Sequence, residues 1–347
     1  MDPVSSALAG LGCALPVLAA PMAGGPGTQA LVTAAAAAGG LGFLAAGYKP
    51  PEAVAAELAG MRAAGVPFAI NLFAPNPVPV ERAAFRRYAT AISAEGRRYG
   101  LDLAGAEPAE DDDHWADKID LLLADPVPVA SFTFGLPDRA VITALRRAGT
   151  LVALTVTCAA EAHRAAEAGA DLLVAQAAAA GGHWGTLTPD QLPPALPAAD
   201  LVAQVRRSVP VPCIAAGGLA TPADVAAVLR AGAAAAMVGT VLLRAAEAGT
   251  SAVHRAALAD PARTRTVLTR AFTGRPARGL ENRFTDRYGA LAPSGYPAVH
   301  HLTSPLRRAA AAAGDPELVH LWAGAGWRQA TDEPAGQILA RLAGPAG

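Results

Sequence analysis

The sequence predicts an α/β fold closed as a (β/α)8 (TIM) barrel. Three observations carry this: short apolar runs alternate with helical stretches, about eight such units follow one another, and the glycine-rich junctions that could bind phosphate come late in the chain. The apolar runs lie at 17–20, 42–45, 68–72, 129–133, 151–156, 172–175, 213–216 and 236–239. Most are continuous rather than alternating, as expected of parallel strands covered on both faces. Helical stretches fall between them, at 29–38, 51–64, 137–148, 159–168 and 222–231. Several stop at a glycine (Gly39, Gly65, Gly149, Gly169, Gly232), the residue that adopts the left-handed C-cap without strain. Thr221-Pro222-Ala223-Asp224 supplies a threonine cap, a first-turn proline and an acid within that turn. An open doubly wound sheet is the rival, but it would place G-x-G-x-x-G after the first strand, and Pro21-Met-Ala-Gly-Gly-Pro-Gly27 lacks that spacing.

The regular spacing breaks between the third and fourth strands, where 74–128 exceeds what one crossover needs. A proline-rich turn, a helical run at 81–99 and an acidic patch at 107–113, read as a solvated turn, suggest a helical cap over one end of the barrel. Beyond Gly249 the repeat stops; proline-rich loops, the aromatic and histidine patch of Tyr288, Tyr296, His300 and His301, and a last helix near 337–342 are expected to pack against that cap. The expected division is therefore 1–74 with 125–249 as barrel, and 75–124 with 250–347 as cap and substrate domain.

Composition bounds the function. With 347 residues, 52% apolar and 16% charged, the chain can fill a large core and is too apolar for disorder. A net charge of -1 without a basic run argues against nucleic acid and acidic membrane surfaces. Cys13, Cys158 and Cys213 are far apart, so neither a disulfide framework nor a zinc site is expected, and a reducing, cytoplasmic setting is. The N-terminal Met1-Asp-Pro-Val-Ser-Ser6 lacks the basic region of a signal peptide, and the stretch 30–47 reads as a buried helix and strand rather than a span.

A barrel places its site at the C-terminal ends of its strands. Those junctions hold Pro21, Met22, Ala23 and Gly24; Asn71; Gln176, Gly181, Gly182 and His183; Gly217 and Gly218; and Gly239 and Thr240. His183 is the only side chain of its loop that moves a proton near neutral pH. Bare N–H groups after the last two barrel strands can make an anion site, with the Thr240 hydroxyl in support. A phosphate site together with the amides of Asn71 and Gln176 fits FMN, since an amide can both donate to and accept from a flavin edge. Tight turns for the glycines and core packing for Met22 are the plainer alternatives. His163 and His254 read as surface residues on helices. No G-x-S-x-G elbow supports a hydrolase.

These segments in this order resemble the nitronate monooxygenase (2-nitropropane dioxygenase) family over nearly the whole chain: Ala20-Pro-Met-Ala-Gly-Gly25, Ala69-Ile-Asn-Leu-Phe73, Ser131-Phe-Thr-Phe-Gly135, the loop from Gln176 to Gly185, Ala216-Gly-Gly218, Val238-Gly-Thr240, Tyr296-Pro297 and Trp322-Ala-Gly324. The resemblance implies an FMN-dependent barrel enzyme that oxidises alkyl nitronates, and in some members nitroalkanes, with dioxygen to a carbonyl compound and nitrite. It implies that the junction residues above hold FMN, and that His183 acts as base on a nitroalkane or as a binding group for a nitronate. Ser131, Trp184, Tyr296 and His301 are the candidates on the substrate side. The family loop is close to Gln-Gly-x-Glu-Ala-Gly-Gly-His-Arg-Gly; here Ala177, Ala179 and Trp184 depart from it, removing a carboxylate and adding an apolar wall expected to reshape the pocket. Related FMN enzymes, the enoyl-acyl-carrier-protein and quinone reductases that need NAD(P)H, are the first alternative. A non-catalytic barrel that binds FMN or a phosphorylated ligand is the second. The expected partners are a small-molecule substrate and dioxygen, no metal enters the reading, and a homodimer is left open.

Overall fold

The computed structural model describes residue 10, residues 12–192 and residues 194–344; the reading of Met1–Ser6 lies outside them. The eight apolar runs form a closed parallel barrel in the order β1 (Val17–Ala19), β2 (Leu41–Ala45), β3 (Phe68–Phe73), β4 (Val129–Thr133), β5 (Leu151–Val156), β6 (Leu172–Gln176), β8 (Cys213–Ala216) and β9 (Ala235–Val238), with β9 pairing back onto β1. Side chains alternate along each strand. One set, including Leu18, Phe43, Val129, Val174, Ile214 and Met237, fills the barrel interior. The other, including Val17, Leu44, Ile70, Leu154 and Leu173, packs outward against the helices. Both faces are dry, which explains runs without a polar alternation.

Each strand is answered, among the described residues, by one helix of the outer shell: α1 (Gln29–Ala37), α2 (Pro51–Ala64), α4 (Trp115–Ala124), α5 (Arg139–Arg147), α6 (Ala159–Ala168), α7 (Ala198–Ser208), α8 (Pro222–Arg230) and, after a long excursion, α12 (Ala335–Ala343). The expected glycine stops all have positive φ, from 65° at Gly65 to 103° at Gly169. Thr221 and Asp224 form the expected reciprocal capping box at α8. The stretch 30–47 resolves into α1 and β2, both buried on the barrel side.

Two elements assigned by sequence to the cap belong to the barrel. α4 packs between α2 and α5, with Ile119 and Leu122 in the shell core. α12 packs on α1, α8 and β1, burying Ile338, Leu339 and Leu342, so the last helix closes the ring rather than joining the cap. Crossover distance decides this: a parallel strand must be followed by a helix on the sheet's outer face, wherever in the chain that helix comes.

A second core lies over the C-terminal ends of the strands. It joins α3 (Arg82–Arg97) through Phe85, Tyr88 and Ile92 to α9 (Ala252–Ala259), α10 (Arg283–Tyr288) and α11 (Ala298–Ala312). A small antiparallel sheet links the two units: β7 (Gly182–His183) pairs with β11 (Ala277–Leu280), which pairs with β10 (Thr266–Thr269). The glycine-histidine loop read from the sequence as irregular is thus pinned edge-on by β11, with Ala277 opposite His183. The pairing partner lies about ninety residues away, which local pattern does not reveal.

Candidate active site

A cavity of about 700 Å³ separates the barrel mouth from the second core. The proposed junction residues Pro21, Met22, Ala23, Gly24, Asn71, Gln176, Gly181, Gly182, His183, Gly217, Gly218, Gly239 and Thr240 all line it, as do Ser131, Tyr296 and His301. Trp184 does not. Its side chain is buried on the far side of β7 toward Ala177, Pro194 and Leu201, because successive strand residues point to opposite faces and His183 takes the inward one. It therefore does not wall the cavity.

The floor at the ends of β6, β8 and β9 is a glycine cradle. A Cβ on Gly217 (φ +97°) would stand 2.6 Å from the Ala177 carbonyl oxygen, and one on Gly181 would stand 2.5 Å from the Gly324 nitrogen. Both contacts are too close for any side chain, so the sequence here can only be glycine at this approach. The backbone N–H groups of Gly217 and Gly218 have no acceptor among the described residues. Gly324 N–H is tied to the Thr240 hydroxyl at 3.0 Å. Unpaired amides in a close-approach turn are what an anionic phosphate requires.

Asn71 stands on β3 facing inward. Its amide nitrogen donates to the Ser131 and Thr133 hydroxyls at 2.9 and 3.0 Å, leaving its carbonyl oxygen as the group offered to a ligand. Gln176 acts differently from expectation. Its oxygen accepts from Gly185 N–H at 2.7 Å and its nitrogen donates to the His183 carbonyl at 3.3 Å, so the amide braces the histidine loop.

His183 is enclosed by Phe134, Tyr296 and Trp322, with ring centroids 5.5–5.9 Å away. Burial, reinforced by the Arg275 and Arg307 cations, pulls its pKa down to about 3, so the imidazole is neutral at physiological pH. Nε2 lies 2.9 Å from the Thr273 hydroxyl, which reaches the Arg275 carbonyl at 3.2 Å. A hydroxyl that gives its hydrogen to that carbonyl accepts the Nε2 hydrogen of His183, and Nδ1 then keeps its lone pair.

Several residues in or directly behind the site escaped the sequence. Arg275 is fully buried, its guanidinium 4.2 Å from the Phe134 ring centroid; it donates to the carbonyls of Thr186 and Phe134, and Nε and Nη1 have no partner. Burial lowers its pKa to about 10. Arg307, also buried, lines the cavity and is likewise lowered to about 10 by burial. Spacing held a clue: 300 and 307 lie two helical turns apart on one face of α11. His254, expected at the surface, is 7% exposed and lines the cavity, while Tyr288 is packed in the second core against Phe284 and donates to Glu95.

The acidic patch is also not simply solvated. Asp113 accepts from Tyr48 N–H at 2.8 Å and pairs with the buried Lys118 at 2.8 Å, and Asp111 pairs with His301 at 2.6 Å. Both carboxylates stand at the cavity rim and both are paired. No group of three or more metal-ligating side chains is assembled, and no helix is long and apolar enough to cross a membrane, among the described residues.

A closed (β/α)8 barrel with a glycine cradle for an anion and enclosed neutral imidazoles, His183 among them, fits a small-molecule enzyme of the flavin oxidoreductase type. The chain belongs to the nitronate monooxygenase family, whose profile matches residues 5–344. It is 34% identical over 332 residues to a probable nitronate monooxygenase of Staphylococcus aureus (strain Newman), covering 94% of this chain and 93% of the relative. Among solved structures it is similar to nitroalkane oxidase from Streptomyces ansochromogenes, with a TM-score of 0.90, 46% identity and coverage of 97% and 96%. It is also similar to FabK from Thermotoga maritima, with a TM-score of 0.75, 25% identity and coverage of 99% and 94%.

Proposed function

We propose that this protein is an FMN-dependent enzyme that oxidises alkyl nitronates with dioxygen to a carbonyl compound and nitrite, and deprotonates nitroalkanes to feed the same reaction. The observation that carries the reading is the enclosed neutral His183 in a cavity lined by the buried Arg307 guanidinium and the exposed Arg308, with Lys49 paired to Glu57 and the rim carboxylates already paired. Such a field favours an anion such as a nitronate. Gly217, Gly218, Gly239 and Thr240 would hold the FMN phosphate, and Pro21–Gly24 and Asn71 the ring, Asn71 accepting from a ring N–H. When bound, FMN would supply the electron transfer with dioxygen. His183 would use Nδ1 either to take the α-proton of a nitroalkane or, for a preformed nitronate, only to orient it. The aromatic wall would keep bulk water away from the reacting carbon.

The test is nitrite release from a nitronate in air without NAD(P)H, alongside a His183→Asn variant. Turnover of the neutral nitroalkane should fall about 10²–10⁴-fold in that variant, the range for loss of a general base. Turnover of the preformed nitronate should fall far less. Equal losses would remove the base role. The likeness to FabK supports a second reading, an NAD(P)H-dependent flavin reductase; anaerobic bleaching of the flavin by NADH but not by nitronate would favour it.

A further inference from the structure

His183 is one of several imidazoles at the cavity; His254, His300 and His320 line it as well. His300 stands apart because its protonation pattern is dictated by a neighbour. Arg307 Nη2 donates to His300 Nδ1 at 3.2 Å and to its carbonyl at 3.1 Å. A guanidinium has no lone pair to offer, so Nδ1 must be the acceptor, and an imidazole accepting there is neutral with its hydrogen on Nε2. That Nε2–H has no acceptor among the described residues and is not sealed off from the cavity. The ring is fixed in place, stacked on Tyr48 with centroids 4.4 Å apart and planes at 3°. Arg307 is itself held, donating from Nε to the Thr303 hydroxyl at 3.1 Å and lying 3.3 Å from the His320 ring nitrogen. No carboxylate pairs with it among the described residues.

We propose that His300 is a substrate-contacting residue whose Nε2–H donates to an oxygen of the nitronate, and that Arg307 is the positioning residue that holds it in this tautomer. The proposal rests on the nitronate reading above for the identity of its ligand, though the donor geometry would serve any small planar oxyanion. His183 and His300 then divide the work. The first works at the carbon end through Nδ1, and the second grips the charged oxygens with an uncompensated cation behind it. A neutral donor backed by a buried cation prefers an anion to a neutral nitro compound, so this pair would set the preference for nitronate.

The flavin-loaded enzyme is titrated with nitrate, a planar oxyanion that cannot be oxidised, by calorimetry at several pH values, and KM and kcat for a nitronate are measured in parallel. His300→Phe keeps the stack on Tyr48 but removes the donor; it should weaken nitrate and raise the nitronate KM about tenfold, with kcat changed less. His300→Gln retains an N–H and should recover most of that loss. Arg307→Met removes the donor to Nδ1 and the nearest cation, while burial, the larger cause, still holds the ring neutral, so nitrate binding should weaken about tenfold across the pH range and the nitronate KM should rise with it. Arg307→Lys, which still donates, should recover most of that loss, and His300→Phe combined with Arg307→Met should weaken nitrate by less than the product of the two single losses, because the two residues act as a unit. The other titratable or charged groups facing His300 are Tyr48, His183, Tyr296, His301, Arg308 and His320, all present in every variant. Unchanged nitrate affinity in His300→Phe, or fully independent losses in the double variant, overturns the proposal. Nitrate binding that depends on His300 in an enzyme that turns over no nitronate would sink the functional reading and leave this one standing.

Discussion

At the scale of single residues, the site is built by burial more than by ionic pairing. Arg275 and Arg307 are enclosed without a carboxylate, an arrangement that costs several kcal/mol unless another group offsets it. Carbonyl oxygens, the Phe134 face and neutral imidazoles supply part of that offset, and an anionic ligand in the cavity would supply more for Arg307, which lines it. The same logic separates His183 from its neighbour in sequence. Trp184 is 4% exposed, faces away from the cavity, and leaves its indole N–H without a partner. Trp184→Phe gives up some apolar area but also removes an unsatisfied buried donor, two effects of about 1–2 kcal/mol and opposite sign. The expected outcome is a melting temperature within about 3 °C of wild type and an unchanged nitronate KM. A large rise in KM would mean that the tryptophan does reach the substrate.

At the scale of elements, the loop between β6 and α7 shows how a short segment becomes a site. β11 fixes it from one side, Gln176 braces it from within, and the Gly324 backbone packs against Gly181. Gly217 sits where this loop meets the end of β8. Gly217→Ala imposes a left-handed alanine, about 1–2 kcal/mol, and adds the 2.6 Å clash with the Ala177 carbonyl. It should lower the melting temperature and also deplete the flavin, read as the visible absorbance per protein. Gly65→Ala provides the contrast: φ is +65° but nothing lies within 4 Å of the added methyl, so stability should fall by about 1 kcal/mol with full flavin content. Loss of flavin in both variants would show that the cradle plays no special part. The barrel strands were legible because each is a run buried on both faces, visible in composition alone. β10, β11 and the pairing of Gly182–His183 were not, since their register depends on contacts across about ninety residues and their sequences, such as Ala277-Arg-Gly-Leu280, carry no strand pattern. Among site residues, the glycines and His183 could be read from their junctions, whereas Arg275 and Arg307 become significant only once the second core folds over the barrel.

At the scale of the molecule, two cores share one cavity, and the chain passes between them repeatedly: α3 leaves the barrel for the upper core, α4 returns, and α12 closes the shell after the long excursion from β9. The cavity between them is therefore coupled to the packing of both cores. This coupling has a pH consequence. The cavity encloses His183, His254 and His300, lowered by burial to about 3, 4 and 2, and His320, lowered well below 6.5 by burial and by Arg307. Unfolded, all four would titrate near 6.5. Below that value the unfolded chain binds protons that the folded chain refuses, so the stabilisation is complete above pH 6.5 and is lost as the pH falls. Each imidazole can cost up to about 1.4 kcal/mol per pH unit, and together the four should remove about 6 kcal/mol between pH 6.5 and 5. Asp113, raised by burial, acts in the opposite sense, but it starts from the ordinary carboxylate range, below this window. Urea denaturation at half-unit pH steps should show the midpoint falling steeply across this range, and His254→Phe should reduce the slope by close to one proton. A midpoint that stays level from pH 6.5 to 5 would mean that these rings take up protons in the folded state, and the depressed pKa of His183 would be overturned with it.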